Sequence, residues 1–238
     1  RCWDQFVAML FCHIAQADSL REICNGLRSC TGKLGHIGVK NAPKRSTLAY
    51  ANEHRSASLY ERLFYQTFDR FRSEGKLGFR KKKFRFKNKL LSLDSTTISL
   101  CLSLFPWAKF RRAKGGVKLH VLLDHDHYMP QFVAIGEASR HDSTIAKSLT
   151  INKGSIVVMD RAYCDSVLFS KWIDKGIYFV TRLKSNVLYQ TIEVNRPPST
   201  RKILSDELIK LTGQKARKQC HYILRRIVVK KKKKNRPI

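Results

Sequence analysis

The sequence lacks the features that mark membrane-spanning and disulfide-bonded proteins. It contains no run of about 18 uncharged apolar residues, as a transmembrane helix would need, and its N-terminus has no signal-peptide pattern. Its seven cysteines are scattered, odd in number and without a Cys-x-x-Cys pair, which argues against a disulfide framework and a zinc ribbon. We therefore expect a cytoplasmic protein with reduced thiols.

Acidic residues are also scarce. The chain of 238 residues has 18 Asp and Glu against 47 Lys and Arg, a net charge of +29. Such an excess attracts polyanions and supports salt-dependent contacts with phosphates. Nucleic acid is therefore the expected partner, ahead of an anionic membrane surface.

Helical spacing dominates the first third of the chain. Apolar residues recur at helical intervals from Trp3 to Ile14, and Ser19 with Glu22 forms a capping box for a second helix. We predict a helical N-terminal domain over residues 1–77. Short helices joined by basic loops could recognise DNA, but a packing domain with solvated basic loops fits the pattern about as well.

A basic linker follows over residues 78–89, where three Phe alternate with seven Lys and Arg. The rings could anchor the linker along a duplex while its cations contact phosphates, although a solvated charge run is the alternative. A second basic loop lies beyond the next strand. The candidate DNA-binding residues are Arg80, Lys81, Lys82, Lys83, Arg85, Lys109, Arg111, Arg112, Lys114 and Arg161.

Residues 90–183 have the pattern of an α/β (α+β) core. Strands are predicted at Leu90 to Leu100, Val117 to Leu123 and Met129 to Ile135, forming an antiparallel meander. A helix, a strand ending at Asp160, a second helix and a last strand follow. This order is expected of a ribonuclease H-like mixed sheet with flanking helices.

The remaining residues, 184–238, change in pattern and are predicted to be part of a β-rich insertion with a lysine-rich tail. Strands are expected at Val187 to Val194 and at Cys220 to Val229. A short helix is expected between them, at Ser205 to Leu211.

Two acids, Asp94 and Asp160, stand out in the core. Asp94 interrupts an apolar strand, where an unpaired buried carboxylate would be costly, and Asp160 ends another strand. If the strands are neighbours, the two carboxylates repel unless divalent cations bridge them, and oxygen ligands favour Mg²⁺ or Mn²⁺. Paired ions suit phosphodiester chemistry.

Each acid also has a purely structural interpretation. Asp160 could simply cap the next helical segment. Asp94 could be a core Asp that is hydrogen-bonded to Ser95 and Thr96. His120, on an alternating strand, is typical of a hydrogen-bonded core histidine rather than a metal ligand.

Four motifs together resemble the DDE transposases of bacterial insertion sequences, specifically the IS-four group. They are Leu93-Asp94-Ser95-Thr96, Gly116-x-Lys-x-His120, His141-Asp142 and Asp160-Arg161-Ala162-Tyr163. The resemblance implies a ribonuclease H-like core, two Mg²⁺ ions, and cutting and joining of the ends of a mobile element in double-stranded DNA. It makes Asp94 the first catalytic acid and Asp160 the second. It also suggests a homodimer on DNA and association with the nucleoid.

The family pattern further implies a third acid, a Glu on a helix after the β-rich insertion. Glu193 precedes a loop with two prolines and Glu207 lies too early, so neither fits. The chain instead runs into five consecutive lysines near Ile238. We hypothesise a frameshift or an early stop; a downstream DNA sequence without a Glu-containing helical segment in any frame would contradict this.

These observations predict a transposase that binds DNA but has weak metal affinity and little strand transfer. One alternative is a non-catalytic DNA-binding remnant that regulates transposition. Another is a general nuclease on the same fold.

Overall fold

The computed structural model describes residues 1–74, 84–100, 109–111, 114–137, 141–196 and 202–230. It divides into two compact units, Arg1–Glu74 and Gly75–Ile238. The predicted α/β class is confirmed, with a mixed sheet, flanking helices, an N-terminal helical region and a second small sheet. In the part of the chain described, no helix is long and apolar enough to cross a membrane.

The N-terminal unit is built from helices alone in its described residues. Its elements are α1 (Cys2–Ile14), α2 (Leu20–Ser29), a 3₁₀ helix (Leu34–Ile37), α3 (Arg45–His54) and α4 (Ser58–Ser73). Ser19 caps α2 as predicted, because its hydroxyl accepts a hydrogen bond from the Glu22 N–H at 3.2 Å. The Glu22 carboxylate accepts in return from the Asp18 N–H at 2.9 Å.

The predicted apolar face of α1 is only partly correct. Val7 and Ala8 are buried against α2 and α3, whereas Leu10 and Ile14 are exposed. Because Ala8 has a small side chain and is completely buried, the helices approach α1 around this residue. Because α1 packs through this side, Leu10 and Ile14 face solvent.

In the described residues, the main sheet has six strands. They are β1 (Leu90–Leu100), β2 (Lys109–Arg111), β3 (Lys114–Asp124), β4 (Met129–Glu137), β5 (Ile156–Met159) and β6 (Tyr178–Thr181). Strands β1, β3 and β4 form the predicted antiparallel meander. Strand β5 then pairs parallel with β1, and β6 pairs parallel with β5.

Two helices, α5 (Asp142–Ser148) and α6 (Ser166–Asp174), cover one face of this sheet. Alternate residues of β1 and β5 point toward them, since Leu91, Leu93, Val157 and Met159 are all buried. Trp172 of α6 lies in the same apolar cluster. The next residue along each of these two strands therefore points to the opposite face.

The second sheet consists of β7 (Tyr189–Asn195), β8 (Ile203–Leu211) and β9 (Ile223–Val229), all antiparallel. The prediction of a helix at Ser205 to Leu211 is wrong, because this segment is the central strand of that sheet. Its backbone pairs with neighbours on both sides, which outweighs local helical preference. A helix, α7 (Gln214–Gln219), follows it instead.

Candidate active site

The parallel register of the main sheet brings the two predicted acids side by side. Leu93 of β1 pairs with Met159, the last residue of β5. Asp94 follows Leu93 within β1, and Asp160 directly follows the end of β5. Adjacent strands lie about 4.8 Å apart, so Asp94 and Asp160 leave the sheet as neighbours. Their strands are thus adjacent, as the sequence suggested.

The Asp94 side chain is exposed, which corrects the expectation that it is a costly buried charge. The reason is the alternation of side chains along β1, which turns Leu93 into the core and Asp94 away from it. One carboxylate oxygen of Asp94 accepts a hydrogen bond from the Ser95 N–H at 2.8 Å. Because the side chain is exposed, a cation could reach its other oxygen.

Asp160 is half-exposed and is held by two donors. Its Oδ1 accepts from the Arg182 guanidinium at 2.8 Å and from the Arg161 N–H at 2.7 Å. The Arg182 hydrogen bond, and after it the Arg161 N–H, lower the pKa of this carboxyl below its ordinary value. Asp160 also caps the 3₁₀ turn Arg161–Tyr163, so its structural interpretation holds alongside any role in metal binding.

A buried polar layer lies beneath the two acids. Tyr163 is completely buried, and its hydroxyl lies 3.0 Å from Nδ1 of His120. The other ring nitrogen of His120 is 3.9 Å from Oδ1 of Asp142, which is paired with Lys118 at 2.8 Å. His120 is therefore the hydrogen-bonded core histidine that the sequence predicted.

Burial shifts the titration of both rings in this layer. It lowers the pKa of His120, which the Asp142 charge only partly opposes. It also raises the pKa of Tyr163 to about 12. Both side chains are therefore neutral near pH 7, and the phenol O–H can donate a hydrogen bond to the imidazole.

The acid pair has the chemistry of a magnesium site but supplies few ligands. Mg²⁺ is commonly held by one or two carboxylates together with water and substrate phosphate oxygens, which these residues allow. Among the residues that the structure describes, no group of three or more His, Cys, Asp and Glu is placed to hold a metal. Glu193 lies on β7, and Glu207 lies on β8, where it pairs with Arg226 at 2.9 Å.

The predicted DNA-binding residues are only partly described. Arg80, Lys81, Lys82, Lys83 and Arg112 lie outside the described residues. The backbone of Lys109 and Arg111 forms β2, and that of Lys114 begins β3. Arg85 and Arg161 have exposed side chains, and Arg161 directly follows Asp160.

Sequence reasoning missed two residues at this site, Arg182 and Tyr163. Met159 of β5 pairs with Thr181 of β6, so Arg182 occupies the position beside Asp160. Residues that follow neighbouring parallel strands lie at the same edge of the sheet, and this rule could have identified Arg182. Tyr163 is visible in the sequence only as part of a motif, because its partners come from distant segments.

The chain matches a family model described as "Transposase DDE domain" over residues 85–237, and a "Domain of unknown function (DUF4372)" over residues 1–40. It is 32% identical over 150 residues to the "Probable transposase for insertion sequence element IS5377" of Geobacillus stearothermophilus, covering 63% of this chain and 39% of that protein. It is 30% identical over 155 residues to the "Putative transposase y4zB" of Sinorhizobium fredii, covering 65% and 41%.

The matched regions thus span about two fifths of the length of these curated relatives. The family match covers more than half of the chain and includes both acids and the buried layer beneath them. The chain belongs to the transposase DDE domain family.

Proposed function

We propose that this chain acts in transposition of an insertion sequence, binding the ends of the element in double-stranded DNA and cutting them with a divalent metal. The observation that carries this proposal is the parallel pairing of Leu93 with Met159, which places Asp94 on β1 beside Asp160 at the end of β5. The names of the relatives support the biological setting, and the net charge of +29 supports DNA as the substrate.

In this proposal each residue has a defined task. Asp94 and Asp160 hold Mg²⁺ or Mn²⁺ through carboxylate oxygens on the open face of the sheet. A divalent ion held by these two residues would supply the charge needed to activate water or a 3′-hydroxyl and to stabilise the leaving oxygen of the phosphodiester. Arg161 and Arg182, both exposed and adjacent to Asp160, supply positive charge for the DNA phosphates. The helical domain of residues 1–77 contributes to DNA recognition.

The test is a cleavage assay with a labelled duplex that carries the inverted repeats flanking the gene. We expect end-specific binding and slow nicking that requires Mg²⁺ or Mn²⁺. Asp94→Asn and Asp160→Asn should abolish nicking and leave DNA binding intact. Asp174→Asn, which removes an exposed carboxylate at the end of α6, is the matched control. Nicking that survives Asp94→Asn would contradict the proposed role.

A second candidate is a DNA-binding regulator without catalysis. It is favoured by the absence, within the described residues, of a third acid beside the pair, and by the hydrogen bond that ties Asp160 to Arg182. This candidate predicts DNA binding that is unchanged by chelation of divalent metals, with no nicking of any duplex. Metal-dependent nicking by the purified chain would exclude it.

A further inference from the structure

The hydroxyl of Tyr163 is tied to the surroundings of both acids at once. Tyr163 ends the 3₁₀ turn that Asp160 begins and caps. Its hydroxyl also lies 3.0 Å from Nδ1 of His120, which is directly opposite Ser95, the residue after Asp94, in the register of β1 and β3. A single buried oxygen therefore links the segment that carries one acid to the segment that carries the other.

Ser95 also holds the Asp94 carboxylate directly. Its N–H donates to Oδ1 of Asp94 at 2.8 Å, and its side chain, on the core side of β1, lowers the pKa of Tyr163 against the larger effect of burial. Asp160 is held in the same way by the N–H of Arg161, at the start of the turn that Tyr163 closes. Each acid is thus oriented by a backbone group within a segment that the Tyr163 hydroxyl helps to hold.

The other side of the Tyr163 hydroxyl is anchored in rigid structure. His120 lies on β3 directly opposite Ser95 in the antiparallel register. His120 in turn faces Asp142 of α5, which Lys118 of β3 holds through an ion pair. Because these groups are buried, moving the hydroxyl would leave polar atoms without partners, which is costly.

This arrangement is more elaborate than packing requires. A Phe at the same place would fill the core, whereas a Tyr must find partners for its hydroxyl. Here the hydroxyl lies 3.0 Å from Nδ1 of His120 on β3, and the Ser95 side chain on β1 lowers the pKa of the phenol. Groups that orient metal ligands in this indirect manner typically alter metal affinity when they are removed.

We infer that Tyr163 is a positioning residue, whose hydroxyl, through Ser95 and the turn that follows Asp160, fixes the separation and orientation of the two carboxylates for metal binding. This inference rests on the proposed function of Asp94 and Asp160. It assigns the hydroxyl no contact with the metal or with DNA.

The test is a Mn²⁺ titration of the full chain, in which free Mn²⁺ is followed by its electron paramagnetic resonance signal. We expect Tyr163→Phe and Ser95→Ala each to weaken Mn²⁺ binding by about 10-fold. Tyr222→Phe removes a hydroxyl that is bonded to Asp174, and Ser170→Ala removes one that is bonded to the Gln219 carbonyl. These two matched controls should bind Mn²⁺ like the wild type. Thermal unfolding without metal identifies any variant that fails to fold.

The outcomes separate the inference from the proposed function. The inference is overturned if folded Tyr163→Phe binds Mn²⁺ with wild-type affinity, even if this substitution lowers the unfolding temperature. If Tyr163→Phe does not fold, wild-type affinity in Ser95→Ala overturns it instead. The proposed function is contradicted, and the inference with it, if the wild type does not bind Mn²⁺ or if its binding does not depend on Asp94 and Asp160. Weakened binding in both variants with unchanged controls would support the inference.

Discussion

Asp160 has a structural role beside the metal-binding role that we propose for it. Its carboxylate caps a turn and bonds Arg182, so the metal-free protein already places a cation beside it. Asp94 is held instead by the N–H of the neighbouring Ser95. The two acids are therefore held differently, although they occupy equivalent positions on adjacent strands.

Replacing Arg182 should change the titration of Asp160. The folded-state pKa of Asp160 is lowered chiefly by the Arg182 hydrogen bond. Arg182→Gln should therefore raise this pKa toward its ordinary value, as measured by carboxyl ¹³C NMR of the metal-free chain. Arg226→Gln, which removes an arginine paired with Glu207, is the control. An unchanged Asp160 pKa in Arg182→Gln would contradict the hydrogen bond.

At the residue scale, sequence reasoning identifies the acids but not their surroundings. The sequence shows that Asp94 and Asp160 each occur in or directly after an apolar segment that is predicted to be a strand. The expected burial of Asp94 is wrong because side-chain alternation along β1 turns this residue away from the core. The Arg182 contact depends on the register between β5 and β6, which no local pattern displays.

Among the elements, the central strand of the second sheet is the clearest departure from prediction. Asp206 and Glu207 suggest a polar helix, yet in β8 they pair with Arg225 and Arg226 of β9. These ion pairs join residues that are distant in sequence, so a helical preference judged locally could not include them. Strands β1, β3, β4, β5 and β6 were predictable from apolar runs or alternation bounded by turn residues, whereas β2 falls in the segment predicted to be a basic loop.

The position of β8 predicts which of its side chains matter for stability. Ile209 is 2% exposed, and Ile209→Ala should lower the free energy of unfolding by about 2–5 kcal/mol, as for other large-to-small core changes. Leu204 is 58% exposed on the same strand, and Leu204→Ala should change the free energy of unfolding by less than about 0.5 kcal/mol. Urea unfolding measures both. Equal losses would contradict the burial pattern.

The polar layer that joins β1, β3 and α5 predicts a dependence of stability on pH. Burial depresses the pKa of His120 below its ordinary 6.5, so the unfolded chain binds a proton more readily than the fold does. The stability contributed by neutral His120 is therefore present above pH 6.5 and lost as the pH falls through that value toward the folded pKa. Asp142, Lys118 and Tyr163 face the ring, and Asp142 moderates the loss.

The measurement is the unfolding temperature between pH 7.5 and 5 for the wild type and for His120→Gln, with His54→Gln as the control. His54 has an exposed side chain on α3 in the N-terminal unit. The decline on acidification should be smaller in His120→Gln and unchanged in His54→Gln. The same decline in all three chains would show that His120 does not titrate in the manner described.

For the molecule as a whole, charge is the property that the sequence predicts most directly. A net charge of +29 requires no structure to interpret, and it implies DNA affinity that falls steeply with salt. The sequence does not show where on the surface this charge is located. Its location depends on how the units and loops fold. Among the predicted DNA-binding residues, Arg85 and Arg161 have described side chains, and both are exposed.

Removing both exposed arginines should reduce the salt dependence of DNA binding. For each phosphate that the protein no longer binds, the slope of log K against log salt should fall by about 1. We expect a reduction of about 2 for Arg85→Gln combined with Arg161→Gln, measured by fluorescence anisotropy of a labelled duplex. Arg226→Gln, whose guanidinium pairs with Glu207 in the wild type, should leave the slope unchanged. An identical slope in the double variant would exclude both residues from the interface.

We infer that Asp94 and Asp160 act as one metal site, a claim that a double-mutant Mn²⁺ titration can test most directly. If both carboxylates hold the same ion, Asp94→Asn and Asp160→Asn should each weaken binding by at least about 10-fold, and the double variant should lose little more than either single variant. Asp174→Asn should bind like the wild type. Unchanged Mn²⁺ affinity in either single variant, or losses that simply add in the double variant, would contradict the claim.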